Sequence, residues 1–229
     1  MSIEKKIYWS VGLGSLVLLV SALLFPADRP DPAEFPWHIT HPTPNALTIF
    51  GLTLGQSTIN DAEQRFKEKA EVGLFRGASG NLSAEAFFEQ INLAGLRSKV
   101  VLTLVVSDEL QRSMHDRGLR MTATGGSGKK ITLDPADLAT LTQVPIGSLT
   151  LIPGIRVDEA LLLKRFGAPT HVVKEANGEV THRLYAQHAL DISTSTVKSE
   201  KQVLQYISPG EFNKLLDPLL KNGGQIIPQ

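Results

Sequence analysis

Cysteine is absent from all 229 residues. Its absence excludes structural disulfides, thiolate-held metals and cysteine nucleophiles. It also excludes a lipid-modified N-terminal cysteine, so any anchoring has to come from the chain itself. An excess of charge is missing too: 23 Lys+Arg stand against 23 Asp+Glu. That balance gives no general drive toward nucleic acid or anionic lipid. Catalytic signatures are also lacking. There is no His-Glu-x-x-His pair for zinc and no Gly-x-Ser-x-Gly elbow for a hydrolase. What is present is an ordinary globular composition, 42% hydrophobic and 20% charged, enough to bury a core.

One long hydrophobic run stands out. No charge occurs between Lys6 and Asp28, and residues 7–27 form an apolar stretch of 21. About 20 helical residues cross a hydrocarbon core. The centre reads Leu16, Val17, Leu18, Leu19, Val20, and Leu23, Leu24 and Phe25 extend it. Tyr8 and Trp9 open the run, where amphipathic rings favour headgroups. Lys5 and Lys6 precede it, while Asp28, Arg29, Asp31 and Glu34 follow, which places the N-terminus in the cytoplasm. A cleaved signal peptide competes with this reading, but Leu23, Leu24 and Phe25 continue past Val20-Ser21-Ala22, and Phe25-Pro26-Ala27 puts Phe where a small residue belongs. The expectation is a signal-anchor in a bacterial inner membrane with a periplasmic domain.

The organisation expected is: 1–25, cytoplasmic stub and anchor; 26–46, a stiff Pro-rich linker; 47–148 and 149–222, two α+β units; 223–229, a loose tail. In the first unit Ser57 reads as an N-cap, with Ile59, Ala62, Phe66 and Ala70 on one helix face. Residues 82–91 and 99–106 read as strands. Ser107 caps a helix ending near Gly118. Residues 119–124 and 130–133 flank a glycine-rich hairpin loop, and Asp134-Pro135 opens another helix. In the second unit 157–166 is helical and Gly167-Ala168-Pro169 stops it. Strands 170–176 and 179–186 meet at Asn177-Gly178, a strong hairpin signal. Strands 190–196 and 202–207 complete an antiparallel meander. Ser208-Pro209-Gly210-Glu211 opens a last helix, which Pro218 should end or kink.

The two units share an order of glycine-containing lead-in, amphipathic helix and strands. Ile59-Asn60-Asp61-Ala62 matches Val157-Asp158-Glu159-Ala160 in character, 98 residues on. Leu54-Gly55-Gln56-Ser57 before a helix, and Phe166-Gly167-Ala168-Pro169 after one with strands around Asn177-Gly178, resemble the beta-lactamase-inhibitor-protein-like fold. That fold also occurs in the small lipoprotein of the outer-membrane barrel-assembly machinery. The resemblance covers residues 49–106 and 152–207. It implies tandem helix-on-sheet repeats and a protein-binding role. The first unit lacks Gly-x-Pro after its helix.

Six histidines are candidates for chemistry. His38 and His41 lie in the Pro-rich segment. His171, His182 and His188 can meet across strands near Asp191, but half-exposed strand histidines are the ordinary explanation. Ser193 and Ser195 lie close by in sequence. The loop before Lys129 is superficially similar to a phosphate loop, but Ala123 stands where Gly is needed and Lys130 where Ser or Thr is needed. On β alternation Thr181, Arg183 and Tyr185 share one side of their strand, and Val180, His182 and Leu184 the other. Arg183 and Tyr185 are the expected contact residues, with Trp37 from the linker. No catalytic residue, metal site or cofactor is expected.

The sequence thus gives an α+β protein: a transmembrane helix followed by two helix-on-antiparallel-sheet units. The expected function is non-enzymatic binding of another envelope protein, with no nucleic-acid or small-molecule ligand. Its alternatives are an envelope hydrolase with a non-standard site and an accessory subunit of a larger membrane complex.

Overall fold

A tight hairpin opens the architecture. Thr48–Ile49 (β1) pairs with Leu52–Thr53 (β2), and the reversal sets both Phe50 (φ 54) and Gly51 (φ 79) left-handed. The structure is a computed structural model and describes residues 31–77, 79–123 and 128–228. Every element described lies in one compact unit, Pro32–Gln229.

Thr58, rather than Ser57, caps the first helix, Ile59–Phe66 (α1). The Thr58 amide donates to Asp61 Oδ2 at 2.8 Å, as in a capping box. Ser57 is engaged elsewhere, its Oγ accepting from the Thr53 amide at 3.0 Å. Lys67 turns left-handed (φ 56), so the helix stops before Ala70. Three strands follow as a meander: Glu71–Arg76 (β3), Leu82–Leu93 (β4) and Leu96–Leu104 (β5). The Ser107 hydroxyl then caps Asp108–Asp116 (α2). Arg120–Ala123 (β6) and Lys129–Thr132 (β7) pair, and most of the glycine-rich loop between them lies outside the described residues. Asp134 caps Pro135–Leu141 (α3) with two amide bonds to its carboxylate.

The strand Ile146–Pro153 (β8) comes next, then Glu159–Phe166 (α4), capped by Asp158. His171–Lys174 (β9), Val180–Tyr185 (β10), Leu190–Ser195 (β11) and Val203–Ile207 (β12) form the expected meander. Ser208 does not cap with its side chain; a 3₁₀ turn, Pro209–Glu211, leads instead into Asn213–Lys221 (α5). That helix runs through Pro218, which costs it one amide donor at that position. The expected loose tail pairs as Gln225–Ile226 (β13) on β9.

Eleven strands make one antiparallel sheet in the order β13-β9-β10-β11-β12-β8-β5-β4-β3-β7-β6. The expected boundary at 148/149 falls inside β8. This strand pairs with β5 on one side and β12 on the other, and so joins the two meanders edge to edge. Cross-strand partners share a face, so the register identifies two rows that cross the junction. One runs Ala86, Leu102, Leu149, Tyr206, Leu190, Tyr185; the next runs Phe88, Val100, Leu151, Leu204, Ile192. All eleven are buried. At about 1.5–3 kcal/mol for each large apolar side chain removed from water, these rows are the main source of cohesion between the halves.

The helices explain the rows. Phe66 of α1 meets Phe88 edge-on at 5.1 Å, and Phe166 of α4 meets Tyr185 at 5.6 Å. Phe50 meets Tyr206 at 6.2 Å. All three contacts fall on the same face of the sheet. The two helices are also equivalent. Each has eight residues, their first residues Ile59 and Glu159 are 100 apart, and each ends in a Phe packed on a ring of its meander's second strand. The repeat register is therefore 100, set by the caps Thr58 and Asp158, and not 98.

The segment read as a linker is tied down from Pro32 onward. Tyr206 donates its hydroxyl to the Pro36 carbonyl at 2.8 Å, and Glu34 accepts the Ala94 amide at 2.8 Å. Trp37 lies half-buried.

No helix among the described residues is long and apolar enough to cross a membrane. The expected anchor, from Tyr8 and Trp9 to Phe25, lies outside them. The architecture is corrected to α+β with short helices on one large antiparallel sheet. Among the described residues that architecture contains no transmembrane helix, and the inner-membrane tether, cytoplasmic N-terminus, periplasmic placement and envelope partner expected from one are withdrawn.

Candidate binding cleft

The face of the sheet opposite α1 and α4 carries different side chains. Its register row reads Phe87, Val101, Thr150, Gln205, Asp191, Leu184. Toward β9 this face is closed: Leu184 and Val173 are fully buried. There a Cβ on Gly224, just after α5, would come within 2.9 Å of Val173 Cγ1. Toward the middle it is open, and Phe75, Phe87, Val101, Thr150, Ile152, Val203 and Gln205 are all half-buried. Lysine stems lie across the rings, with Lys99 Nζ 5.8 Å from the Phe87 centroid and Lys130 Nζ 6.0 Å from that of Phe75.

A cleft of about 780 Å³ lies at the end of this strip marked by Ile152 and Val203. Glu89 and Lys99 stand at one end, Ile152 and Val203 on the floor, and Val180 and His182 at the other end. Lys99 is ion-paired with Glu89. Close backbone approach shapes the junction, because a Cβ on Gly154 would lie 2.4 Å from the Arg97 carbonyl.

The polar end is built by three strands. Asn177-Gly178 reverses the chain with Gly178 at φ 74, which sets Glu175, just past β9, beside His182 on β10. The 3₁₀ turn Ala186–His188 returns the chain so that Asp191 on β11 reaches the same ring. His182 Nδ1 lies 2.6 Å from Asp191 Oδ2, and Nε2 lies 3.2 Å from Glu175 Oε1. The ring and the Asp191 carboxylate are buried, and Glu175 is 37% exposed. Burial alone lowers the pKa of the imidazole. The hydrogen bonds and charges of Asp191 and Glu175 outweigh it, and the net shift is upward. Burial holds the Asp191 carboxyl above the usual carboxylate range, against the pull of His182. Its second oxygen, Oδ1, is buried and has no hydrogen-bond partner among the described residues.

The observed arrangement is not that of a serine hydrolase triad: Ser193 stands directly opposite His182 in the register, but both ring nitrogens are engaged by carboxylates, Nδ1 by Asp191 and Nε2 by Glu175. Ser195 Oγ accepts the Val197 amide instead. Nor do the histidines converge. His171 pairs opposite Leu184, and His188 lies across the sheet, 6.0 Å from the Phe166 ring. Burial keeps the His188 pKa below its ordinary value. Among the described residues no group of three His, Cys, Asp or Glu is arranged to hold a metal ion.

The contact residues read from sequence sit on the other face. Tyr185 is 1% exposed, beneath Phe166 and His188. Arg183 is ion-paired with Glu159 of α4. Trp37 stacks with the Phe35 ring at 5.1 Å and carries the Arg165 guanidinium over its ring at 4.6 Å. The alternation on β10 was read correctly, but α4 covers the Arg183 side and the cleft takes the His182 side. Glu175, Ile152 and Val203 were missed. For Ile152 and Val203 a signal existed in the alternation of Leu149-Thr150-Leu151-Ile152 and Val203-Leu204-Gln205-Tyr206.

No family model, curated protein or solved structure matches the chain.

Proposed function

We propose that this protein is a binding module, not an enzyme, and that it takes an extended, partly apolar segment of a partner protein along the open face of its sheet. The observation that carries this is the cleft itself. It is floored by Ile152 and Val203 and touches six neighbouring strands, β4, β5, β8, β12, β11 and β10. Five inter-strand spacings of about 4.8 Å make it about 24 Å long, the length of about seven extended residues. Its volume of about 780 Å³ is of the same order as such a segment. The ends carry groups of both signs, Lys99 and Glu89 at one and His182 and Glu175 at the other, suited to fixing register on a polar backbone. The equivalence of α1 and α4, each leading into a meander, supports the resemblance to the beta-lactamase-inhibitor-protein-like fold and its binding role.

The test is selection of random heptapeptides on the immobilised protein. The expected winners alternate apolar and polar residues and bind the native protein in solution. Val203→Glu on the cleft floor should weaken them at least about tenfold, since a desolvated, unpaired charge costs more than 1.4 kcal/mol. Met121→Glu, at the far edge of the sheet, should leave them unchanged. Peptides that ignore Val203→Glu overturn the proposal.

A further inference from the structure

The carboxylate–imidazole–carboxylate chain at the polar end of the cleft is not explained by binding alone. Apolar packing would close three strands more cheaply than a buried ring between two acids. The arrangement is also asymmetric. The Asp191 contact is short and buried, whereas the Glu175 contact is longer and its carboxylate reaches water. One end of the ring is fixed and the other is free to leave.

We propose that Glu175, His182 and Asp191 form a proton-operated latch on the cleft: doubly protonated His182 holds Glu175 against the cleft wall, and loss of the Nε2 proton releases it and opens the site. The proposal rests on the cleft being the binding site. When Nε2–H is present, it donates to Glu175 Oε1 while Nδ1–H donates to Asp191 Oδ2. Both carboxylates are then satisfied by one imidazolium. When the Nε2 proton goes to solvent, a nitrogen lone pair faces a carboxylate oxygen, and the two acceptors repel. The shorter, buried Asp191 bond keeps the remaining proton on Nδ1. Glu175 swings into water, to which it is already partly exposed. Its departure uncovers Val180 and leaves Nε2 as an acceptor facing the cleft, suited to a backbone N–H of the bound segment.

The surroundings of the ring are mixed in charge. Besides Asp191 and Glu175, His171 lies on the adjacent β9 and Glu200 and Lys201 of the β11–β12 loop line the same cleft, while Lys99, Arg97 and Glu89 stand at its other end. Burial pulls the His182 pKa down, and Asp191 and Glu175 together outweigh it, so the switch lies on the upper side of the ordinary imidazole value.

Two substitutions separate the states. Glu175→Gln keeps the latch shut at every pH, because a carboxamide can accept from Nε2–H or donate to a bare Nε2. Glu175→Ala has no latch. The probe is Nile red, an uncharged apolar dye, titrated into the full-length protein between pH 6 and pH 9. In the native protein its affinity should rise about tenfold as His182 loses its proton, as for an open fraction moving from about a tenth to nearly all. Glu175→Gln should stay weak and Glu175→Ala should stay tight, both flat with pH. In parallel, ¹⁵N shifts of the His182 ring and the ¹³C shift of the Glu175 carboxyl should move with one midpoint. If the ring titrates while the Glu175 carboxyl signal stays in place, the latch is overturned. If no variant binds the dye saturably, the binding reading is overturned instead, and the NMR titration still decides the latch.

Discussion

Replacing His182 with leucine should destabilise the fold more than replacing His182 and Asp191 together. The single change leaves the Asp191 carboxylate, 7% exposed, with neither oxygen bonded, because Oδ2 loses its only ring partner and Oδ1 has none. An uncompensated charge of this kind costs about 3–5 kcal/mol. Losing the Glu175 contact adds little, since that carboxylate is more than a third exposed. Changing both His182 and Asp191 to leucine removes the stranded charge, and apolar replacement of a buried pair is neutral to stabilising by about 1–4 kcal/mol. The double variant should therefore recover at least about 2 kcal/mol over the single one. Urea unfolding followed by circular dichroism, extrapolated to water, measures all four corners of the cycle. The pH dependence has a definite sign. A buried acid with a raised pKa stabilises below its unfolded value, and that stability is lost as pH rises through its folded value. The penalty of the single substitution should thus shrink from pH 7 to pH 4, as Asp191 takes a proton. A single-variant cost under about 1 kcal/mol, or a double-variant cost equal to the sum of the singles, refutes the reasoning.

Three further outcomes follow from the same geometry. Leu149→Ala, in the strand joining both meanders, should cost about 2–5 kcal/mol and lower amide-exchange protection in β4 and β11 alike; loss confined to one half would mean the halves unfold separately. Tyr206→Phe should cost about 0.5–1.5 kcal/mol in urea unfolding, by removing the hydroxyl that holds Pro36, and a null effect would mean that the N-terminal segment is not pinned there. In the native protein the raised His182 pKa contributes stability that is full below about pH 6.5 and lost as pH rises through its folded value. His182→Gln should abolish that slope, and a slope unchanged by the substitution would assign it to another group.

Much of the fold was legible because local signals and tertiary structure agree. Asn177-Gly178, Ser107 and Asp134 each do what their residue types favour, and the second meander follows the alternation of its strands. β8 was not read, because Ile146-Gly147-Ser148 interrupts its alternation and its neighbours in space, β5 and β12, are distant in sequence. Without β8 the two units look separable, and the open face is not seen as continuous. The repeat was placed two residues out of register because similarity of residue character was followed rather than the caps. Arg183 and Tyr185 were placed on a contact face because alternation tells which residues share a side, not which side a helix will cover. The cleft depends on that same unread information.

The most direct test of the account is where a bound segment touches the sheet. Backbone amide shifts should be mapped while a selected heptapeptide is titrated into the ¹⁵N-labelled protein. The account predicts perturbations concentrated at Lys99 in the first meander, Ile152 on β8, and His182 and Val203 in the second, two halves that meet only across β8. Perturbations concentrated instead at Trp37, Leu163 and Arg183, on the face covered by α4, would contradict it.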